Sequence, residues 1–445
     1  MTRLPFLGVL VIAMAAAPAA QRPAPVSHWQ QWRGPAHTGV APGAAPLTWS
    51  DTANVAWKME IPGRGFSSPI VWGDRVFVTT AVPIGAPAAP AAATPAPQGR
   101  RGGGGAALVE HEFKVMALDR ASGKVVWQKT AAVATPHEAH HQMYGSFASN
   151  SPVTDGRRVY ASFGSRGLFV YDMNGNEVWK KDFGVQLRMR LQFGEGAAPV
   201  LHGDRLIMLM DNESGSFLSM LNAATGKELW RTDRPDGMTN WSTPLVVEHN
   251  GVKQIVVSAS AKVRSYAFET GKPIWEAAGL GQNTIPQPVH AGDHVLVMSG
   301  YRNPKLMAIR LGREGDLTGT DAVTWTLDRG LSYTASPVLH EGVLYFITDT
   351  AQVSAVKAAT GEPLYQQVRL PKPYNIKASP VAAGGRIYFA TEEGDVIVAK
   401  LGSASFEILA TNTLADQSFI ATPAIAGGEL FLRSRTHLIK IRSAD

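Results

Sequence analysis

The chain has no cysteine among its 445 residues. Disulfide bonds are therefore excluded, and an acylated N-terminal cysteine is not expected. Long apolar runs are also missing, since the stretch at 4–17 is too short for a comfortable membrane span and no other segment approaches spanning length. Because Arg3 precedes this stretch and small residues follow it, we predict a cleaved signal peptide at 1–20 and an extracytoplasmic protein, periplasmic or secreted.

The chain also lacks a concentrated charge of either sign. Its formal net charge of +6 comes from 42 Lys and Arg against 36 Asp and Glu, scattered along the sequence. Scattered charge is typical of a solvated surface, so we expect no nucleic-acid partner. The Gly-x-Ser-x-Gly, Walker and His-Glu-x-x-His motifs are absent, and no catalytic residue is predicted.

What the chain does contain is a repeat marked by proline. The repeated dipeptides are Ser68-Pro69, Ser151-Pro152, Ala198-Pro199, Thr243-Pro244, Gln287-Pro288, Ser336-Pro337, Ser379-Pro380 and Thr422-Pro423. Successive spacings between the last seven prolines are 47, 45, 44, 49, 43 and 43 residues. A period in the forties is typical of a repeat architecture rather than of unrelated domains.

Each repeat has the pattern of four short strands. An apolar run follows the proline, then a Gly turn, two further strands and a fourth strand that ends in an aromatic residue. Four antiparallel strands in some forty residues are typical of a propeller blade, so we predict an all-β, eight-bladed propeller. We expect the recurring aromatics to pack between blades. They are Trp127, Trp179, Trp230, Trp275, Trp325, Tyr365 and Phe406.

The two ends of the chain are predicted to meet in one blade. The last repeat supplies only three strands, whereas 54–59, with Trp57, resembles a fourth strand that lacks its own blade. Pairing these pieces closes the ring and removes exposed sheet edges. The propeller would then span 50–445, with an N-terminal strap at 21–49 and a disordered, low-complexity insert at 83–107.

Strand alternation predicts which face carries a site. The loops that lead into each first strand vary and carry functional groups, whereas the opposite face has short Gly-Asp and Thr-Gly-Lys turns. Because ligand sites lie on variable loops held by a rigid scaffold, we expect a protein or small-molecule ligand at this channel mouth. The candidate binding residues are His137, His141, Arg190, Glu195, Asn240 and Arg302.

Three groups on this face leave alternatives open. The stretch 137–141, His-Glu-Ala-His-His, combines donors suited to a transition metal, but its spacing matches no metal motif and a polar loop capping the channel is the simpler interpretation. Residues 211–213, Asp-Asn-Glu, offer oxygens to calcium or are solvated in a turn. Glu195 is a general-base candidate without a partner acid.

The stretch 116–127, Met-Ala-Leu-Asp-Arg-Ala-Ser-Gly-Lys-Val-Val-Trp, resembles the pyrroloquinoline-quinone-type (PQQ-like) propeller repeat. The resemblance covers about 50–445 and implies an eight-bladed ring. It also implies two contrasting functions. Quinoprotein alcohol dehydrogenases hold PQQ and calcium in the channel, whereas BamB-type proteins are scaffolds in outer-membrane β-barrel assembly without a cofactor.

The chain departs from both groups, since it has neither the vicinal cysteines nor the acylated cysteine, and no position matches the calcium set by motif. We therefore expect a monomeric, non-enzymatic binding or protein-interaction scaffold without a cofactor. One alternative is a PQQ- and calcium-dependent dehydrogenase. A second is a carbohydrate or peptide binder that uses Trp241, Tyr301 and Tyr374 as apolar platforms.

Overall fold

A computed structural model of the protein describes residues 28–85 and 108–443. These residues form eight sheets, each built on four antiparallel strands, which follow one another in the sequence in seven of the sheets. The predicted all-β, eight-bladed propeller is thereby confirmed. The short 3-10 turns Gly164–Arg166 and Arg190–Gln192 both lie in loops. Within the described ranges, no helix has the length and apolarity required to cross a membrane.

The blades are numbered by their prolines, and their strands are given from the axis outward. Blade 1 has Ile70–Trp72, Arg75–Pro83, His111–Asp119 and Val125–Ala134; blade 2 has Val153–Thr154, Arg158–Ser162, Leu168–Asp172 and Glu177–Lys181. Blade 3 has Val200–His202, Arg205–Leu209, Ser216–Asn222 and Glu228–Arg234; blade 4 has Leu245–His249, Val252–Ser258, Lys262–Ala267 and Pro273–Ala278. Blade 5 has Val289–Ala291, His294–Ser299, Lys305–Arg310 and Val323–Leu327; blade 6 has Val338–His340, Val343–Ile347, Gln352–Lys357 and Pro363–Arg369. Blade 7 has Val381–Ala383, Arg386–Ala390, Asp395–Lys400 and Ile408–Thr413; blade 8 has Ala424–Ala426, Glu429–Arg433, His437–Ile441 and Val55–Glu60.

Blade 8 joins the two ends of the chain as predicted. The N-terminal strand Val55–Glu60 pairs antiparallel with His437–Ile441, from Val55 opposite Ile441 to Glu60 opposite His437. Two further short strands extend other blades: Val40–Ala41 runs parallel to the inner strand of blade 7, and Gly315–Asp316 runs parallel to the outer strand of blade 4. Ring closure therefore depends on hydrogen bonds between distant parts of the sequence.

Hydroxyl groups before the prolines link neighbouring blades. The residue before the proline donates its backbone N–H to the side-chain hydroxyl of the matching residue in the next blade. The pairs are Ser68 to Ser151, Ala198 to Thr243, Gln287 to Ser336, Ser336 to Ser379 and Ser379 to Thr422, at 2.8–3.3 Å. Since a buried N–H without an acceptor is costly, this contact explains why Ser and Thr recur beside the proline.

The recurring tryptophans also join blades. Their indole N–H groups donate to a carbonyl of the next blade at 3.0–3.2 Å, as seen for Trp57, Trp127, Trp179, Trp230 and Trp325. Each indole lies against the glycine of a turn with positive φ, where a Cβ atom would come within 2.8 Å of the ring. Trp275 differs, because its N–H donates to Gln254 in its own blade. The hydrophobic core correspondingly lies between adjacent blades.

The segment 28–50, called the strap below, lies at the hairpin-turn end of the channel. Trp29 pairs with Val71 of blade 1 and is fully buried. The buried Arg33 donates to the carbonyls of Pro337 and Pro380, both at 2.6 Å, and burial lowers its pKa to about 9. The strap thus contacts inner strands on both sides of the axis and fills this end of the channel.

Three predicted segments lie wholly or partly outside the described residues: the whole signal peptide at 1–20, residues 21–27 of the predicted N-terminal strap, and the insert from residue 86 to 107. The start of the predicted insert is ordered, because Pro83 ends a strand and lies opposite His111. The hairpin formed by the second and third strands of blade 1 is therefore long. The outer strand of this blade, Val125–Ala134, has ten residues.

Candidate functional site

A small cleft with a volume of about 30 Å³ opens at the mouth opposite the strap, between blades 1, 2 and 3. Its walls come from the loops that lead into the first strands of blades 2 and 3 and from the second-to-third turn of blade 2. The lining includes Phe113, His137, Glu138, Asn150, Phe163, Arg166 and Glu195. The sequence-predicted residues His137 and Glu195 therefore share one cleft.

Glu195 is held in the cleft wall by a single serine. The Ser165 N–H donates to Oε2 at 2.7 Å and the Ser165 hydroxyl donates to Oε1 at 2.5 Å. Burial raises the pKa of Glu195, although these two hydrogen bonds oppose the shift. Gly164 makes this contact possible, because a Cβ there would lie 1.5 Å from Oε2.

His137 is fixed through both ring nitrogens. Arg166 lies 2.7 Å from Nδ1, and since a guanidinium only donates, Nδ1 is the acceptor. Nε2 then carries the proton and donates to the Leu187 carbonyl at 2.9 Å. The ring is therefore held as one neutral tautomer, with Arg166 supplying the positive charge of the cleft.

The loop 136–145, called the mouth loop below, is tied to the loop that follows blade 2. Glu138 accepts from the Met189 N–H at 2.6 Å, and burial raises its pKa. The His141 Nδ1 accepts the N–H groups of Met143 and Tyr144 at 3.3 and 3.2 Å, and the imidazole stacks on the Tyr144 ring. These contacts make His141 a residue that shapes the loop rather than one that faces the cleft.

The histidines and the glutamate at 137–141, for which a metal site was the alternative to a polar capping loop, do not converge. Across the described part of the chain, no group of three His, Asp or Glu side chains is placed to hold a metal ion. His137 is occupied at both nitrogens, and His140 packs edge-on against Phe147 with a ring separation of 4.6 Å. The structure therefore favours the polar capping loop over the metal alternative.

We expect acid to destabilise the mouth loop through His140. Burial lowers the pKa of His140 to about 4, whereas the unfolded chain takes up the proton near 6.5. Stability is therefore lost as the pH falls below about 6.5, by at most about 2 kcal/mol at pH 5. Melting midpoints at pH 7.5 and pH 5 should differ less in His140→Gln than in the wild type, and an unchanged difference would contradict this assignment. His37 has a similarly lowered pKa, but it is present in both the wild type and His140→Gln, so it does not account for a difference between them.

Asn240 and Asp211 lie behind the cleft in a buried ion-pair network. The Asp211 carboxylate accepts from Arg234 Nε at 2.7 Å and Nη2 at 2.9 Å, and from the Asn240 amide at 3.0 Å. Asp211 and Arg234 are almost completely buried. Asn240, predicted as a binding residue, is 2% exposed and lines a second small pocket together with Glu195 and Asp211.

The remaining predicted residues are separated from the cleft or differently used. Arg190 is exposed on the adjoining loop, and Arg302 lies over the Tyr301 ring at 5.4 Å on blade 5. Among the proposed aromatic platforms, Tyr374 is buried and donates to Asp395, so that assignment is wrong. Ser165 and Arg166, which contact Glu195 and His137, were not among the predicted site residues, although the glycines on either side of them indicate a tight turn.

The eight four-stranded blades and the strand that closes the ring define a β-propeller. The chain belongs to the family described as outer membrane protein assembly factor BamB, whose sequence profile matches residues 111–367 and 216–445. The resemblance predicted from the repeat is thereby confirmed.

Similar solved structures include BamB from Moraxella catarrhalis, with 15% identity, a TM-score of 0.52, and coverage of 74% of this chain and 92% of that one. A quinohemoprotein alcohol dehydrogenase from Comamonas testosteroni has 11% identity and a TM-score of 0.62, over 94% of this chain and 81% of that one. A europium-containing methanol dehydrogenase has 10% identity and a TM-score of 0.63, over 91% and 89%. At these identities the likeness shows the fold alone.

A tetrathionate hydrolase from Acidithiobacillus ferrooxidans is 25% identical in an alignment of 284 residues that covers 56% of this chain. The matched region is 53% of the hydrolase, so the chain spans about half the length of this relative.

Proposed function

We propose that this protein is an exported, monomeric binding scaffold that holds a small molecule or a partner segment in the cleft of blades 1–3. This proposal rests on one observation, that hydrogen bonds within the protein fix the side chains of the cleft. Glu195 and His137 are already held by Ser165, Arg166 and the backbone before any ligand arrives. Preorganised groups of this kind lower the entropic cost of binding.

The same contacts suit a binding site. Each Glu195 oxygen accepts one hydrogen bond from Ser165 and keeps a second lone pair, with which the carboxylate can accept a donor group of a ligand. The two His137 nitrogens are both engaged within the protein. A ligand would therefore meet a fixed pattern of charge beside the aromatic ring of Phe163, which suits recognition of a polar group on an apolar frame.

A fragment screen tests the location of binding. Dipeptides and monosaccharides would be screened by thermal shift, and ligands that raise the melting midpoint would be measured by titration. Gly164→Ala should displace the Glu195 carboxylate, and Glu195→Gln should remove its charge, so each should weaken binding by about tenfold or more. The matched control is Arg329→Gln, which removes an exposed charge from the same face.

The outcome that would overturn the proposal concerns the opposite face. If ligands bind the cleft variants normally but lose affinity when the Gly203-Asp204 turn or the Thr225–Lys227 turn is substituted, binding does not occur in the cleft.

The quinoprotein alternative requires oxygen ligands for calcium, and the Asp211 carboxylate does not fit that role. Both Asp211 oxygens are bound to Arg234, a cation supplied by the chain itself that would repel a calcium ion at this carboxylate. We therefore expect no stoichiometric PQQ binding by the calcium-loaded protein. Isothermal titration with PQQ checks this, and micromolar or tighter binding at one site per chain would restore the dehydrogenase hypothesis.

A further inference from the structure

Two arginines from different blades converge on one carbonyl oxygen at the channel mouth. Arg64, before the first strand of blade 1, donates from Nη2 to the Met143 carbonyl at 3.1 Å and to the Gln142 carbonyl at 2.6 Å. Arg435, on blade 8, donates from Nη1 to the same Met143 carbonyl at 2.9 Å. Both guanidinium groups also lie over the Phe66 ring, at 5.1 and 5.5 Å.

Positive charge exceeds negative charge around this point. Arg433 lies behind Gly65, is 2% exposed and makes no ion pair with the described residues. Lys377 lies 4.5 Å over the Tyr144 ring and pairs with Asp349. Glu392 is the carboxylate that pairs with Arg435, at 3.3 Å. Three arginines and a lysine therefore lie near three carboxylates, Asp349, Glu392 and Glu393, of which Asp349 is committed to the lysine and Glu393 accepts from Asn375.

The hydrogen bonds of Arg64 are incomplete. Its Nε is buried and has no acceptor, and no carboxylate pairs with its guanidinium among the described residues. Burial, together with the nearby charge of Arg435, lowers the pKa of Arg64 to about 10. A neutral carbonyl compensates two cations poorly, whereas a hydrogen bond from a guanidinium to an anion is roughly twice as strong as a neutral one.

We propose that Arg64 and Arg435 form a binding site for a tetrahedral oxyanion group, a sulfate, sulfonate or phosphate, in which the Gln142 and Met143 carbonyls now occupy the position of the anion oxygens. A tetrahedral group suits the site because the two guanidinium groups approach from separate blades, whereas a carboxylate presents its oxygens in one plane. Binding requires the mouth loop to withdraw its carbonyls. The site is distinct from the cleft of Glu195, and its test does not depend on the proposed scaffold function.

In this arrangement the mouth loop competes with the anion for the hydrogen-bond donors of Arg64 and Arg435. His141 holds the loop in place by accepting the N–H groups of Met143 and Tyr144. A substitution that removes these hydrogen bonds should leave Arg64 and Arg435 freer to bind an anion. His141→Ala should therefore strengthen anion binding several-fold, although it removes interactions from the protein.

The test is isothermal titration of the full chain with sodium sulfate, sodium phosphate and sodium acetate, at matched ionic strength set with sodium chloride. We expect saturable binding of sulfate or phosphate, weaker binding of acetate, and faster hydrogen exchange of the amides at 141–145 in the bound state. Arg64→Gln and Arg435→Gln should each weaken binding by about tenfold or more, and His141→Ala should tighten it. Arg329→Gln should leave it unchanged.

Two controls separate a site from general effects. Melting curves show whether each variant is folded, and Arg435→Gln is the decisive variant if Arg64→Gln is not. The proposal is overturned if neither the wild type nor His141→Ala binds sulfate or phosphate, if acetate binds more tightly than both, if Arg329→Gln loses as much affinity as the arginine variants, or if His141→Ala binds less tightly than the wild type.

Discussion

A protein that lacks residues 21–60 is expected not to fold. The deletion removes the outer strand of blade 8, so His437–Ile441 would have no partner on that side. It also removes Trp57, which packs between blades 8 and 1, and the fully buried Trp29 of the strap. Removing one strand from a closed ring exposes a sheet edge and two blade interfaces together. The folded structure should therefore be lost cooperatively.

Circular dichroism and thermal melting measure this effect directly. A truncated protein that still melts cooperatively at the wild-type midpoint would show that the ring closes without its N-terminal strand. The matched control is a deletion of 86–107, in the predicted low-complexity insert, for which we expect an unchanged midpoint because that composition cannot form a core. Limited proteolysis near Arg100-Arg101 tests the same prediction.

Arg234→Met is expected to destabilise the protein by about 3–5 kcal/mol, because it leaves the Asp211 carboxylate buried without its cation. The matched control lies in the same strand. Arg231→Met breaks an ion pair with Glu228 that is partly exposed to solvent, and we expect a loss of at most about 1 kcal/mol. Chemical unfolding of both variants gives the comparison.

A double variant separates charge from packing. Replacing both Asp211 and Arg234 by Met removes the unpaired charge, so its stability should recover part of the loss seen in Arg234→Met. Equal stabilities for Arg234→Met and Arg231→Met would mean that the buried pair contributes little, and that solvent reaches Asp211 once the arginine is gone.

The fold was predictable because its signal is repeated. One Ser-Pro dipeptide carries little information, but eight related dipeptides, the last seven of them at similar spacing, indicate both the architecture and the number of blades. The closing strand followed from a mismatch between eight openings and seven complete blades. The sequence did not show where the strap lies, because the contacts of Arg33 with Pro337 and Pro380 span more than three hundred residues.

The site was predictable only in part. His137 and Glu195 lie together because each precedes the first strand of neighbouring blades, which is a property of the repeat. Asn240 follows the same rule, yet its amide points into the Asp211 network, because Arg234 in the preceding strand supplies a buried charge there. Such pairing depends on side-chain direction and on charges elsewhere in the blade, neither of which a loop sequence reveals.

The strap occupies one end of the central channel, so the channel opens to solvent at the other end. Since Arg33 and Trp29 fill one end, a solute that reaches the axis must leave by the route it took in, past the mouth loop. Any change that slows the opening of that loop should slow arrival and departure by the same factor. Occupancy at equilibrium would then stay constant while residence time lengthens.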